Sequence, residues 1–189
     1  MAGHGGQTAD EPVLSLAEWL VLCLVCEEPR HGFAIARLLE STGSMGKIWR
    51  VPKPVVYRAL QRLEQLGLVQ SAELQPSSLG PAKLPVDATR AGRKLATNWL
   101  DRPASHNRDV RSELLVKLAL LDRADLGSRD LLDAQRRQLG PMAAALEDKL
   151  AKASGFDHTL LLWRYETLCA TLRFLDAELD RDLTQATAR

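Results

Sequence analysis

The chain has 189 residues, 46% of them hydrophobic, and a formal net charge of only +1. That length suits one compact domain or a small domain with a helical appendage, and no stretch approaches the ~20 consecutive apolar residues of a membrane span. With charge balanced over the whole, only its distribution can speak for or against nucleic acid.

Residues 1–13 lack periodicity and are expected to be mobile. Their small and polar residues (Ala2, Gly3, Gly5, Gly6) do not form a basic region followed by an apolar run, so no secretion signal is read there and a cytoplasmic protein is expected. Ser15-Leu16-Ala17-Glu18 is a capping box, in which the serine caps the N3 amide and the glutamate reaches back. A first helix follows through Leu20, Cys23 and Leu24, closed by Pro29. Cys23 and Cys26 form a C-x-x-C. No second Cys/His pair with ligand spacing follows, so buried thiols acting as small hydrophobes are expected, with no metal and no cofactor.

A second helix is expected over 31–40, with Phe33, Ala36 and Leu39 inward, and Lys47–Arg50 as a minor strand. A third helix begins at Pro52, because prolines at 52 and 54 fit only a first turn, and ends before Gly67. Val56, Leu60 and Leu63 mark its inward face. Leu68–Leu74 and Lys83–Ala88 read as two strands around the turn Gln75–Pro81, with Pro85 demanding an edge position. A fourth helix runs from about Thr89 to Asp101, and Pro103 introduces a hinge over 104–109. The rest reads as helix: Leu114, Leu118 and Leu121 share a face, and a stripe from Leu131 to Leu150 is bent or interrupted near Gly140-Pro141. A final helix, capped by Asp157, carries Leu160, Leu168, Leu172, Leu175 and Leu179 on one side.

Three helices, a hairpin and a helix make the plan of a winged helix-turn-helix, whose third helix would lie in the major groove. The fold class expected is mainly α with a small β-hairpin wing, a DNA-binding domain over 14–103, a helical dimerisation domain over 110–183 and a tail over 184–189. Charge agrees. From Ser41 through Leu63 the chain carries Lys47, Arg50, Lys53, Arg58 and Arg62 and no acidic residue. With Val56, Leu60 and Leu63 inward, Pro54, Arg58, Gln61 and Arg62 face outward. Arginine reads guanine and glutamine reads adenine in bidentate fashion, while Tyr57 can donate its hydroxyl to a phosphate. Lys83 is the wing's basic residue.

Residues 14–100 resemble the PadR family of bacterial transcriptional regulators. The resemblance lies in Leu16–Leu22, Pro29-Arg30-His31-Gly32-Phe33, Trp49-Arg50-Val51, the segment Val56–Glu64, Gly67-Leu68-Val69 and Thr89–Arg93, with a weaker match over Arg111–Leu118. It implies a helical C-terminal domain for dimerisation, a palindromic double-stranded operator, and repression relieved by a small aromatic effector. Two departures stand out: Val86 replaces the aromatic of family wings, and the recognition helix opens Val51-Pro52-Lys53-Pro54 instead of on a serine cap.

The apolar stripes of the C-terminal half are wider than a monomer is expected to cover, so Leu160, Leu168, Leu172, Leu175 and Leu179 are assigned to a homodimer interface. Trp163 and Tyr165 are candidates for lining an effector pocket, with ordinary packing as the alternative. The four histidines are scattered without acid or nucleophile partners and no phosphate-binding glycine loop occurs, so no enzyme is expected. The rival reading is a winged helix that serves as a protein-interaction module without specific DNA binding.

Overall fold

The computed structural model describes residues 11–71 and 85–187, with side chains as far as Arg181. In chain order the elements are α1 (Leu16–Glu27), α2 (Gly32–Leu39), α3 (Lys53–Gln65), β1 (Val69–Ser71), β2 (Val86–Ala88) and α4 (Arg90–Leu100). Then come α5 (Asn107–Asp109), a π-helical turn (Val110–Leu114), α6 (Leu115–Arg123), α7 (Arg129–Leu150) and α8 (Gly155–Thr187). This is a winged helix-turn-helix joined to a helical half.

The Ser15 capping box forms: the Glu18 carboxylate accepts from the Ser15 amide at 2.6 Å, and the Ser15 hydroxyl accepts from the Glu18 amide at 3.4 Å. Trp19 through Val25 are all buried, so α1 is the central rod of the first core rather than an amphipathic surface helix. Around it pack α3, α4 and β2. Residues 11–13, expected to be mobile, take part: Glu11 pairs with Arg102 at 2.7 Å, and the Val13 carbonyl accepts from Arg62.

Two expectations for this half need correction. Phe33 is 55% exposed, and α2 instead buries Ile35, Ala36 and Leu39. The inward position of its first turn belongs to Gly32, where an added Cβ would come 2.9 Å from the Tyr57 ring and 3.0 Å from Leu60. Phe33 is rotated one position off that line. Lys47–Arg50 is a turn rather than a strand, because the amides of Ile48 and Trp49 both donate to the Met45 carbonyl at 3.0 Å. The third partner of the hairpin is Arg30, bridged to Val86 through reciprocal backbone bonds of 3.0 and 2.9 Å.

The wing pairs β1 and β2 antiparallel, Val69 opposite Ala88 and Ser71 opposite Val86. Residues 72–84, including the expected turn and Lys83, lie outside the described residues. Gly67, at a φ of +67°, ends α3 in the left-handed conformation that a Cβ disfavours. In α4, Gly92 sits so close to the Leu68 carbonyl that a Cβ would collide with backbone. Gly92→Ala is therefore expected to destabilise the protein by about 1–3 kcal/mol through overpacking. A shift in the urea midpoint would measure it, and an unchanged midpoint would show that α4 moves freely away from the wing.

The expected hinge is pinned. Ala104 is fully buried, and the buried Gln135 side chain of α7 clasps its backbone, accepting from the amide at 2.7 Å and donating to the carbonyl at 3.1 Å. Residues 107–123 then run on as one helical segment that serves two cores. Val116 and Leu120 pack in the first with α1, while Val110, Leu114 and Leu121 pack in the second with α7 and α8. The α7 helix continues through Pro141 without the expected interruption, held along its length by α8. The α8 helix reaches Thr187 and so includes most of the expected tail.

The final helix's leucine stripe also finds a different partner from the one expected. Leu168, Leu175 and Leu179 are buried and Leu172 is partly buried, all against Leu131, Leu132 and Leu139 of α7 in the same chain. Of the five assigned residues Leu160 stays exposed.

Candidate nucleic-acid interface

The approach to α3 is fixed by backbone. Met45 and Gly46 donate to the Leu38 carbonyl, each at 3.1 Å, and Val51 donates to the Leu39 carbonyl at 3.1 Å. Met45 and Val51 are buried beneath this turn. Pro52 stands at the N-cap, and its carbonyl accepts from Val55 and Val56. With Val56, Ala59, Leu60 and Leu63 buried, α3 turns its opposite face to solvent.

On that face Lys53, Pro54, Arg58 and Gln61 are exposed, and Lys47 and Arg50 are exposed on the preceding turn. Among the described residues no hydrogen bond or ion pair engages the side chains of Lys47, Arg50, Arg58 or Gln61. Two cations do have partners. The Lys53 ammonium lies over the Phe33 ring, 5.2 Å from its centroid. Arg62 is exposed as expected, yet its guanidinium pairs with Glu18 of α1 at 3.1 Å and donates to the Val13 carbonyl at 3.3 Å. It therefore ties α3 to the start of α1. Tyr57 is half-buried with its ring against Gly32. The free groups thus include Arg58 and Gln61, two side chains of types able to pair bidentately with base edges, three positions apart on one helical face.

The wing carries its own pair: Asp87 of β2 meets Arg93 of α4 at 2.5 Å, and Arg93 also donates to the Cys26 carbonyl that ends α1. Burial pushes the Cys23 thiol well up and the Cys26 thiol to about 11, which keeps both protonated.

Trp163 is 69% exposed and Tyr165 half-buried, and neither lines either of two clefts present among the described residues. Both clefts open where the two halves meet. One, of about 160 Å³, is lined by Leu14, Trp19, Trp99, Ser112 and Glu113; its two indoles stack with centroids 4.9 Å apart. The other, of about 270 Å³, is lined by Cys23, Cys26, Arg93, Leu100, Leu120 and Leu126. Beside them the fully buried Lys117 ammonium bonds the Glu113 carboxylate and the Arg102 carbonyl, each at 2.6 Å, and lies 4.5 Å from the centroid of the Trp99 ring. Desolvation lowers the pKa of that ammonium, against the pull of Glu113. Glu113 and Lys117 stand four residues apart on one helical segment, a spacing that sequence can show, whereas the Arg102 carbonyl and the Trp99 ring are brought to them by the fold.

Residues 21–98 match the family model described as the transcriptional regulator PadR-like family. Among solved structures, PadR of Bacillus subtilis in complex with operator DNA is 19% identical, with a TM-score of 0.43, covering 88% of this chain and 99% of that one. The same protein in complex with p-coumaric acid is 18% identical, with a TM-score of 0.42, covering 88% and 98%. The virulence activator AphA of Vibrio cholerae is 22% identical, with a TM-score of 0.39, covering 92% and 99%. No curated relative matches the chain.

Proposed function

We propose, from the match of residues 21–98 to the PadR-like family of transcriptional regulators, that this chain regulates by binding a two-fold symmetric duplex operator as a homodimer, with α3 in the major groove. The observation that carries the reading is the acid-free surface from Ser41 to Leu63, on which Lys47, Arg50, Arg58 and Gln61 stand exposed without partners among the described residues. Arg58 and Gln61 read bases, while Lys47 and Arg50 neutralise phosphates. Arg62 acts as a brace between helices.

Footprinting on duplexes enriched from a random pool tests the proposal. Two protected half-sites about 34 Å apart are expected; protection that is absent at every salt concentration favours the protein-interaction module instead. Arg58→Ala should weaken specific binding by about 1–3 kcal/mol and relax preference at one base pair. A specific-to-nonspecific ratio unchanged by that substitution would remove Arg58 from base reading.

The dimer face is proposed on the first turns of α8, where the exposed Phe156, Leu160 and Trp163 stand at spacings of four and three and so share one side of the helix. A small effector, which the B. subtilis protein's complex with p-coumaric acid brings to mind, is proposed for the junction clefts rather than beside Trp163. There it would lie between the helices that carry α3 and those that set the dimer spacing, and would act through its difference in affinity for two spacings.

A further inference from the structure

We infer that Phe33 is a specificity-determining residue that reads the methyl group of a thymine in each half-site; this rests on the DNA-binding reading above. The ring is 55% exposed although it stands in an apolar helix whose inward face is completed by Gly32, Ile35, Ala36 and Leu39. It therefore contributes little to the first core.

Its position is fixed by two contacts. Gly32, the residue before it, lies tightly against Tyr57 and Leu60, which clamps the first turn of α2 to the middle of α3. The Lys53 ammonium, 5.2 Å from the ring centroid, places Phe33 beside the first turn of α3. A duplex that receives that end of α3 in its major groove meets the ring in the same approach. No acidic side chain from Ser41 to Leu63 repels the backbone there, and Lys53 is free to add a phosphate contact while still covering one ring face. Within the major groove the apolar group available to an exposed phenyl ring is the thymine C5-methyl. The pair thus divides the work: charge from Lys53 positions, and Phe33 discriminates.

The test uses the full-length chain and a duplex enriched from a random pool with it. Each thymine of the half-site is replaced in turn by deoxyuridine, which deletes the methyl group and keeps base pairing. Binding is then measured for the unaltered protein, Phe33→Ala and Phe33→Leu. One thymine per half-site should show about fourfold weaker binding as deoxyuridine, the scale of one buried methyl-sized group. Phe33→Ala should bind the thymine duplex more weakly and be indifferent to deoxyuridine at that position. Phe33→Leu should restore part of the preference, which separates methyl reading from any loss of folding. Enrichment of no duplex overturns the DNA-binding reading and this inference together. Enrichment of a duplex whose deoxyuridine series is the same for the unaltered protein and Phe33→Ala, or whose half-site holds no thymine, overturns this inference alone.

Discussion

Replacing Leu160 and Trp163 together by glutamate should turn the proposed dimer into a monomer and lower operator affinity by about 10²–10⁴, the advantage of two linked half-sites. Both residues are exposed, Trp163 at 69%, so the substitutions meet water in the monomer and leave the second core untouched. In a dimer closed over this face the same carboxylates would be desolvated without partners, a strongly unfavourable placement. Sedimentation equilibrium followed by titration on one operator would read both steps. A double variant that still sediments as a dimer and binds undiminished would place the interface elsewhere. The point substitutions are the right probe because removing α8 altogether would strip Leu131, Leu132 and Leu139 of their cover and confuse unfolding with dissociation.

That distinction marks where sequence reading succeeded and where it stopped. The period of Leu168, Leu172, Leu175 and Leu179 correctly announced a buried face. Periodicity says that a face is covered and not by what, and the covering helix proved to be α7 of the same chain. The start of α1 was legible because a capping box is a local device, complete within Ser15–Glu18. The inward face of α3 was legible because three leucine and valine positions repeat at helical spacing and all are buried. Phe33 was misplaced because the true inward residue beside it is a glycine, which carries no hydrophobic signal while letting α2 lie tightly against Tyr57 and Leu60 of α3. Arg62 was rightly exposed, but its partner Glu18 lies 44 residues earlier, beyond any local pattern. Likewise Pro103 and a polar run imitate a hinge until Gln135, 31 residues on, closes over Ala104.

Lys117→Ala should destabilise the folded chain by about 3 kcal/mol, near the lower end of the range for breaking a buried pair. The lower end applies because Glu113, whose side chain is 28% exposed, can recover some hydration. The Arg102 carbonyl loses its donor as well. Lys117→Met keeps an unbranched stem against Trp99 and should lose distinctly less, since packing survives and only the polar contacts go. Urea unfolding of the three proteins at one pH would rank them. If alanine and methionine cost the same, the stem contributes nothing and the carbonyl and carboxylate bonds carry the effect. A loss below about 1 kcal/mol for alanine would deny the cluster any structural weight.

The segment 107–123 belongs to two interiors at once, Val116 and Leu120 in one and Leu114 and Leu121 in the other. Such an element has no side that tolerates replacement on its own terms. A reading head transplanted from a relative by splicing at residue 103 would bring its own α1 and α4 surfaces against a foreign α6, and a foreign residue 102 carbonyl against Lys117. Modules that exchange freely meet at polar, water-filled seams; these two are joined by a helical segment that helps to complete both of their hydrophobic cores. Changes in operator preference are therefore expected to accumulate by substitution on the outer faces of α2 and α3, with the body behind them inherited whole.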